Sequence, residues 1–482
     1  MSGENPGPGL AIESVGVRSR RRSRLGLTAA VLSAAVILLV PATTELPPAG
    51  QRMAAIFVVA VVLWATEALP VAVTSLLVVV LQPILGAASW RAAFTSFMSP
   101  VFFFVLAMFC LAAAITTSGL DRRFAFFLLD RARADSRRTV VALMLGTAAI
   151  SSIMSDVPAC AIFMAIGLGV LERAGVKPGD SSLGKAVMIG IPVASLIGGV
   201  ATPAGSSVNI LGIHFIEEYG KVRVTFLEWM LIGVPMVLLL LPAACWVVLR
   251  WFPPEVEKVG DPAETRRERL RLGSISPAEK KTLLLLTAMI VLWILGTWVE
   301  QLDVVLVALI GAIVMFLPGA DLLSWPRANR LIAWDTLLMI GGVTSIGAGS
   351  VESGLAKWLV HAALGGMAEW SVVASLLAIS AFTVVIHLAL PIGPVVNAVV
   401  IPPIILLAQT TGHHPAMLAL PVAFTASAAF LLPLDPVVLI TYAKGYYRMG
   451  DMVAPGSVIS IVWVVWITLL LLLLGPYFAA QY

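Results

Sequence analysis

The sequence predicts an all-α polytopic membrane protein of about eleven transmembrane helices, in two inverted repeats with two re-entrant hairpins and two broken helices. Three observations predict it. The 482 residues are 59% hydrophobic and only 12% charged, against about 25% charge in soluble domains. The apolar run Thr139–Leu171 contains one charge near its middle, Asp156. As helix it is roughly 50 Å long at ~1.5 Å per residue, too long for one crossing of a ~30 Å hydrocarbon core and too short for two crossings with a turn. Finally, short identities recur at an offset of 235 residues: Ser89-Trp90 with Ser324-Trp325, and Ser118-Gly119-Leu120 with Ser353-Gly354-Leu355. Two matches at one offset, in one topological order, mark an internal repeat.

Residues 1–24 form a basic tail with Arg18, Arg20, Arg21, Arg22 and Arg24. The positive-inside rule puts it in the cytoplasm ahead of an uncleaved first span, 25–48. Pro41–Gln51 has no Lys or Arg, as an outside loop should. Spans follow at about 52–68, 70–88 and 99–118, and the basic stretch Asp121–Arg138 returns the chain to the cytoplasm. Thr139–Leu171 then reads as a hairpin with Ser155 and Asp156 at its tip, because Arg137-Arg138 and Glu172-Arg173 lie on the same side. Non-helical backbone at that depth must line a protein or water cavity. Gly184–Glu218 is interrupted by Gly198-Gly199 and by Thr202–Ser207, which argues for two half-helices around unwound backbone. Phe226–Arg250 is a span, and the hydrophilic stretch 251–281 is a cytoplasmic linker between a first repeat, 49–250, and a second, 282–482. The second repeat runs through spans at 282–299, 303–319 and 334–350. A hairpin follows in Ser371–Ala408 around Leu390-Pro391-Ile392-Gly393-Pro394, then a broken span in Met417–Ala443 around Pro433-Leu434-Asp435-Pro436, and a last span at 453–476. Five spans per unit is an odd number, so the second unit is inverted relative to the first.

These features define what the chain can do and what it cannot. The net charge of +4 is small and the basic residues cluster in loops, so the balance reports membrane orientation and not nucleic-acid binding. Cys110, Cys160 and Cys245 all lie in apolar segments without paired spacing, which indicates neither a disulfide framework nor a metal site. There is no His-Glu-x-x-His, Gly-x-Gly-Asp or Cys/His cluster; no enzyme, catalytic residue or cofactor is indicated. Inverted repeats whose hairpins and broken helices meet at the midplane are how secondary transporters build substrate and ion sites.

Around these breaks the chain resembles the divalent anion/sodium symporter family. Ser155-Asp156-Val157 stands where that family has a Ser-Asn-Thr tip. Gly198–Asn209 is similar to its first broken-helix motif, GG-x-G-T-x-x-G-[ST]-P-P-N, and Thr225–Met230 resembles the start of the following span. Phe430–Pro433 and Gly445–Met452 flank the position of the second Thr-Pro-Pro-Asn. The resemblance covers about residues 50–478. It implies a sodium-coupled secondary carrier of small anions, dicarboxylates or sulfate-like dianions, that is a homodimer in the cell (inner) membrane. It further implies ion binding at Ser155, Asp156, Thr202, Gly205, Ser206, Asn209 and Asp435, with sodium at Ser155, Asp156, Gly205 and Asn209. Substrate contacts fall at Ser155, Asp156, Val157, Gly393, Pro394 and Asn397. The departures lie in the site: Asp156 replaces Asn, Val157 replaces Thr, the second tip lacks Ser-Asn-Thr, and Ser207-Val208 replaces paired prolines.

An intramembrane carboxylate costs at least ~2.5 kcal/mol even on insertion scales, so Asp156 is a functional candidate in its own right. It can neutralise sodium or carry a proton. The alternative reading is therefore a proton-coupled or exchange-type carrier of the wider ion-transporter superfamily, like arsenite permeases or sodium/proton antiporters. Asp435 reads either as the related ion ligand or as a helix N-cap after Pro433. His387 and Asn397 flank the second tip and read either as replacement donors or as structural polar groups. His214 reads as a residue of the outer interface, and Trp90, Trp229 and Trp325 as interfacial anchors.

Overall fold

The computed structural model describes residues 20–40, 46–179 and 181–480, and these are helical throughout, apart from turns and one isolated bridge, Asp135 with Lys258. Residues 1–19 of the basic tail and 41–45 of the expected outside loop lie outside the described residues. The chain opens with α1 (Arg20–Leu39), α2 (Pro48–Thr66) and α3 (Val71–Leu85). A short α4 (Trp90–Phe97) follows, capped by the Ser89 side chain, and then α5 (Pro100–Ser118) and α6 (Leu120–Ala132). The first hairpin is α7 (Ser136–Ser151) and α8 (Asp156–Arg173), and the first broken span is α9 (Ser182–Gly199) and α10 (Ser207–Gly220). The long α11 (Phe226–Trp251) starts on a capping box in which Thr225 and Glu228 satisfy each other's backbone N–H groups. The linker contains α12 (Pro262–Arg271).

The second half repeats this order. It consists of α13 (Pro277–Leu295), α14 (Val304–Val314), a short α15 (Trp325–Leu331), α16 (Trp334–Glu352) and α17 (Leu355–Leu359). The hairpin α18 (Val372–Ile386) and α19 (Gly393–Thr411), the broken span α20 (Pro415–Thr425) and α21 (Pro436–Tyr442), and α22 (Val453–Ala480) complete it. The offset of 235 residues has a backbone counterpart. Gly119 and Gly354 both take φ of 82° at the α5–α6 and α16–α17 turns, and Gly86 and Asp321 are both left-handed, at 69° and 49°. Chain reversal there requires positive φ, which Gly adopts without steric cost.

Among the described residues, six helices are long and apolar enough to cross a membrane, and the pair α15–α16, bent by 67°, makes a seventh. The other expected crossings are shorter apolar helices. The span expected at 303–319 is helical for only 11 residues, because Pro318-Gly319 stops it, and its length of roughly 16 Å is about half the hydrocarbon core. One group of helices packs α16 against α3 and α4, and α14 against α5. A second packs α7 and α8 against α9, α10 against α19 and α20, and α11 against α22. Both hairpins and both broken spans belong to this second group.

Candidate functional site

The helix break at the first hairpin leaves Ser152–Ser155 between α7 and α8, with Asp156 as the first residue of α8. A carboxylate there sits on the free N–H groups and positive dipole end of its own helix. Its Oδ1 accepts from the Val157 N–H at 2.9 Å and from Ser155 Oγ at 3.3 Å, and its Oδ2 from Ser206 Oγ at 3.0 Å. Ser206 is the residue that caps α10, so the carboxylate joins the hairpin tip to the far side of the first break. Ser195, in α9, completes the clamp: its hydroxyl donates to the Asp156 carbonyl at 2.7 Å while its own carbonyl accepts from Ser151 Oγ at 2.7 Å.

The same break gathers several backbone oxygens on side-chain donors. Thr202 Oγ1 donates to the Ser152 carbonyl at 2.6 Å, and Asn209 Nδ2 donates to the carbonyls of Gly199 at 2.7 Å and Thr202 at 2.9 Å. The amide is thereby oriented with Oδ1 buried and without a hydrogen-bond partner. Gly199 and Gly205 face each other so closely that a Cβ on Gly205 would strike the Gly199 carbonyl and one on Gly199 would come within 3.2 Å of the Gly205 carbonyl. Oxygen-only donors with one carboxylate suit a hard monovalent cation such as sodium, and an orphaned buried acceptor is the feature a cation would satisfy. Among the described residues no group of three or more His, Cys, Asp and Glu side chains could hold a transition metal.

The two halves interlock crosswise. Cys160 of α8 lies 3.4 Å from the Val437 carbonyl of α21, and Asn397 of α19 donates to the Val208 carbonyl of α10 at 2.8 Å. Each hairpin thus rests on the other half's broken span. The second break carries different chemistry. Asp435 is the N-cap of α21, its Oδ1 accepting from the Val437 N–H at 2.8 Å, as the capping reading expects. His387 Nε2 is 2.8 Å from the Ala426 carbonyl, and His387 and Asp435 are the polar residues of a small cavity otherwise walled by apolar side chains such as Leu388, Pro391 and Leu434.

The structure brings Ser155, Asp156, Thr202, Gly205, Ser206 and Asn209 into one cluster, with Val157 contributing its backbone N–H. Gly393 and Pro394 are buried at the second tip, where a Gly393 side chain would meet Val208 and the Ala426 carbonyl. The Asn397 amide is committed to Val208 and its Oδ1 is orphaned and buried. His214 is half-buried and lines a crevice of about 290 Å³ with Glu217, Arg223 and Asp303. Trp90 and Trp325 are well exposed, whereas Trp229 corrects the expectation of an interfacial anchor: it is fully buried. Its indole N–H donates to the Val200 carbonyl at 2.9 Å, and its ring stacks on Phe424 with centroids 4.0 Å apart. The bulky ring is spent on capping the first break and seating it against α20. Sequence reasoning also missed Ser195; the available signal was a lone hydroxyl in the otherwise apolar Ile191–Gly199 stretch.

Two broken spans interlocked with two hairpins around a buried, oxygen-lined cluster define a membrane transporter of the inverted-hairpin kind. The chain belongs to the sodium:sulfate symporter family, whose transmembrane-region model matches residues 21–479. It is similar to a membrane protein of Cupriavidus necator, 26% identical over 434 residues that cover 85% of this chain and 84% of that one. The sodium-dependent dicarboxylate transporters SdcS of Staphylococcus saprophyticus and Staphylococcus aureus are 26% and 27% identical, over 84% and 87% of this chain and 83% and 84% of theirs. The fold is shared with the YdaH transporter of Alcanivorax borkumensis, with a TM-score of 0.53 at 17% identity over 82% of this chain and 89% of that chain.

Proposed function

We propose that the protein is a secondary active carrier of small dianions, dicarboxylates first and sulfate-like anions second, driven by sodium. The observation that carries the reading is the Asp156 cluster: a buried carboxylate bonded to Ser206, in the same break as an Asn209 amide oxygen that is buried without a partner. An ionised carboxylate in that position needs a cation, and a dianion beside it needs the same neutralisation, so ion and substrate bind together. The family and the names of the SdcS relatives support the same pairing of sodium with dicarboxylate. The residues in question are Ser155, Asp156, Thr202, Gly205, Ser206 and Asn209 for the ion. Substrate would contact Ser155, Asp156 and Val157 on one tip and Gly393, Pro394 and Asn397 on the other, with Asp435 closing the second break.

The group of helices bearing the hairpins moves against the α3–α5, α14 and α16 group to give alternating access. The repeats run 49–250 and 282–482 around the 251–281 linker. The amino terminus and linker face the cytoplasm of a cell-membrane protein that is a homodimer. Purified protein in proteoliposomes tests this. Succinate uptake should follow an inward sodium gradient and vanish when potassium replaces sodium. Uptake driven equally by a proton gradient without sodium would favour the proton-coupled alternative, and no flux under any gradient would remove the carrier reading.

A further inference from the structure

At the face assigned above to the cytoplasm, α6 and α12 pack together and leave a cleft of about 530 Å³ whose wall holds Arg131, Arg133, Arg266 and Arg269, with Asp130 as its one acid. Asp130 is already paired with Arg269 at 3.2 Å. The backbone that carries one wall of the cleft is fixed in place. The turn after α6 is clipped to the linker by the Ser136 N–H on the Glu257 carbonyl at 3.0 Å and the Val259 N–H on the Ala134 carbonyl at 2.8 Å. Arg133 and Ala134 are both held left-handed there, at φ of 52° and 58°, a conformation that L-residues with a Cβ keep only when the surroundings enforce it. Two arginines each lie one helical turn from an exposed apolar side chain on the same face. The Arg131 guanidinium stacks on Phe127 at 3.7 Å, and Leu270 follows Arg266 by four residues. Cationic and apolar groups sharing a helix face suit the headgroup region of a bilayer, where charge meets acyl chain, better than they suit open solvent.

We propose that this cleft binds the phosphate of an anionic phospholipid headgroup, tying α6 and the linker to the membrane surface. Purified full-length protein is tested by counting retained lipid by mass spectrometry and by measuring the unfolding midpoint with phosphatidylglycerol, phosphatidylcholine or inorganic phosphate. Phosphatidylglycerol alone should be retained and should raise the midpoint. R131Q/R133Q/R266Q should lose that retention, each arginine accounting for about fivefold in affinity, and R131K/R133K/R266K should keep most of it. R327Q/R330Q, which removes exposed arginines of α15 on the same assigned face, should behave as the unmodified protein. Equal retention by the triple Gln variant, or a shift with inorganic phosphate or phosphatidylcholine matching that with phosphatidylglycerol, would overturn the proposal. Should the triple variant not fold, the unmodified protein decides: bound phosphatidylglycerol must be released at about 1 M salt, and its persistence there sinks the assignment.

Discussion

The two helix breaks of this protein share a backbone plan and differ in chemistry. At the first, Asp156 is gripped by Ser155, Ser206 and a backbone N–H while Ser195, Thr202 and Asn209 hold the surrounding carbonyls in place. At the second, Asp435 caps its helix, and apart from His387 and Asp435 itself its cavity wall is apolar, with leucines and Pro391. The long helices behind each break also match. A Cβ on Gly233 of α11 would strike the Val200 carbonyl, and one on Gly456 of α22 would strike the Phe430 carbonyl. A duplicated scaffold therefore preserves the close helix approach at both breaks, while the network of hydroxyl and amide side chains around a carboxylate is found at the first. Close packing is demanded by the backbone geometry of any broken span, but oxygen ligands are needed only where an ion is bound, the role proposed above for the first break.

Neutralising the two acids tests that contrast most directly. Asp156→Asn should cut sodium-driven uptake roughly 10- to 100-fold, the worth of a charged group's lost interactions. Asp435→Asn should stay within about threefold of the unmodified protein, because Asn caps a helix as well as Asp. Initial rates in proteoliposomes check both, and equal losses would break the comparison. Gly205→Ala pushes a methyl into the Gly199 and Ser151 carbonyls, backbone atoms with no flexible side chain to yield; a loss of about 1–3 kcal/mol in stability is expected, read as a lowered unfolding midpoint. Ser195→Ala frees the Asp156 carbonyl and should cost about 1 kcal/mol, with the sodium dependence of uptake shifting to higher concentration while the maximal rate changes less.

The smallest effect concerns the arms that join the two groups of helices. In the first half the arm is a regular helix, α6, whose Arg123 binds Glu279 of α13 at 2.5 Å and the carbonyls of Leu272 and Gly273. In the second half the arm is only five residues of α-helix, followed by a π-helical and then a 3-10 stretch. The Arg123 hydrogen bond holds the Glu279 carboxyl below its usual value near 4.5, against a smaller opposing effect of burial. A depressed folded-state value means the contribution is complete above about pH 4.5 and is lost as pH falls through the lower, folded value. The unfolding midpoint of the unmodified protein should fall more steeply in that acid window than that of Glu279→Gln. Parallel curves would show that the tie contributes nothing.

Much of this organisation is written in local sequence. The offset between Ser89-Trp90 and Ser324-Trp325 reappears as paired N-terminal residues of α4 and α15, and Gly119 and Gly354 as identical left-handed turns. The lone charge in an apolar run marked the hairpin tip, since an uncompensated carboxylate in hydrocarbon is too costly to occur without a local reason. Trp229 shows the limit. Near a span end the sequence reads it as an interfacial anchor, and the same sequence is equally consistent with its burial against Val200 and Phe424.

Most helix starts, stops and breaks were legible in the sequence, because capping residues, Gly, Pro and hydropathy act over a few residues; the early end of α14 at Val314 was not. Tertiary structure alone decided which breaks face which. That Ser195 reaches Asp156, that Asn397 closes onto Val208, and that α8 rests on α21 depend on packing between segments up to 277 positions apart. The physical reason is that a buried polar group must find a partner wherever the fold supplies one, and nothing in its immediate neighbours says which partner that will be.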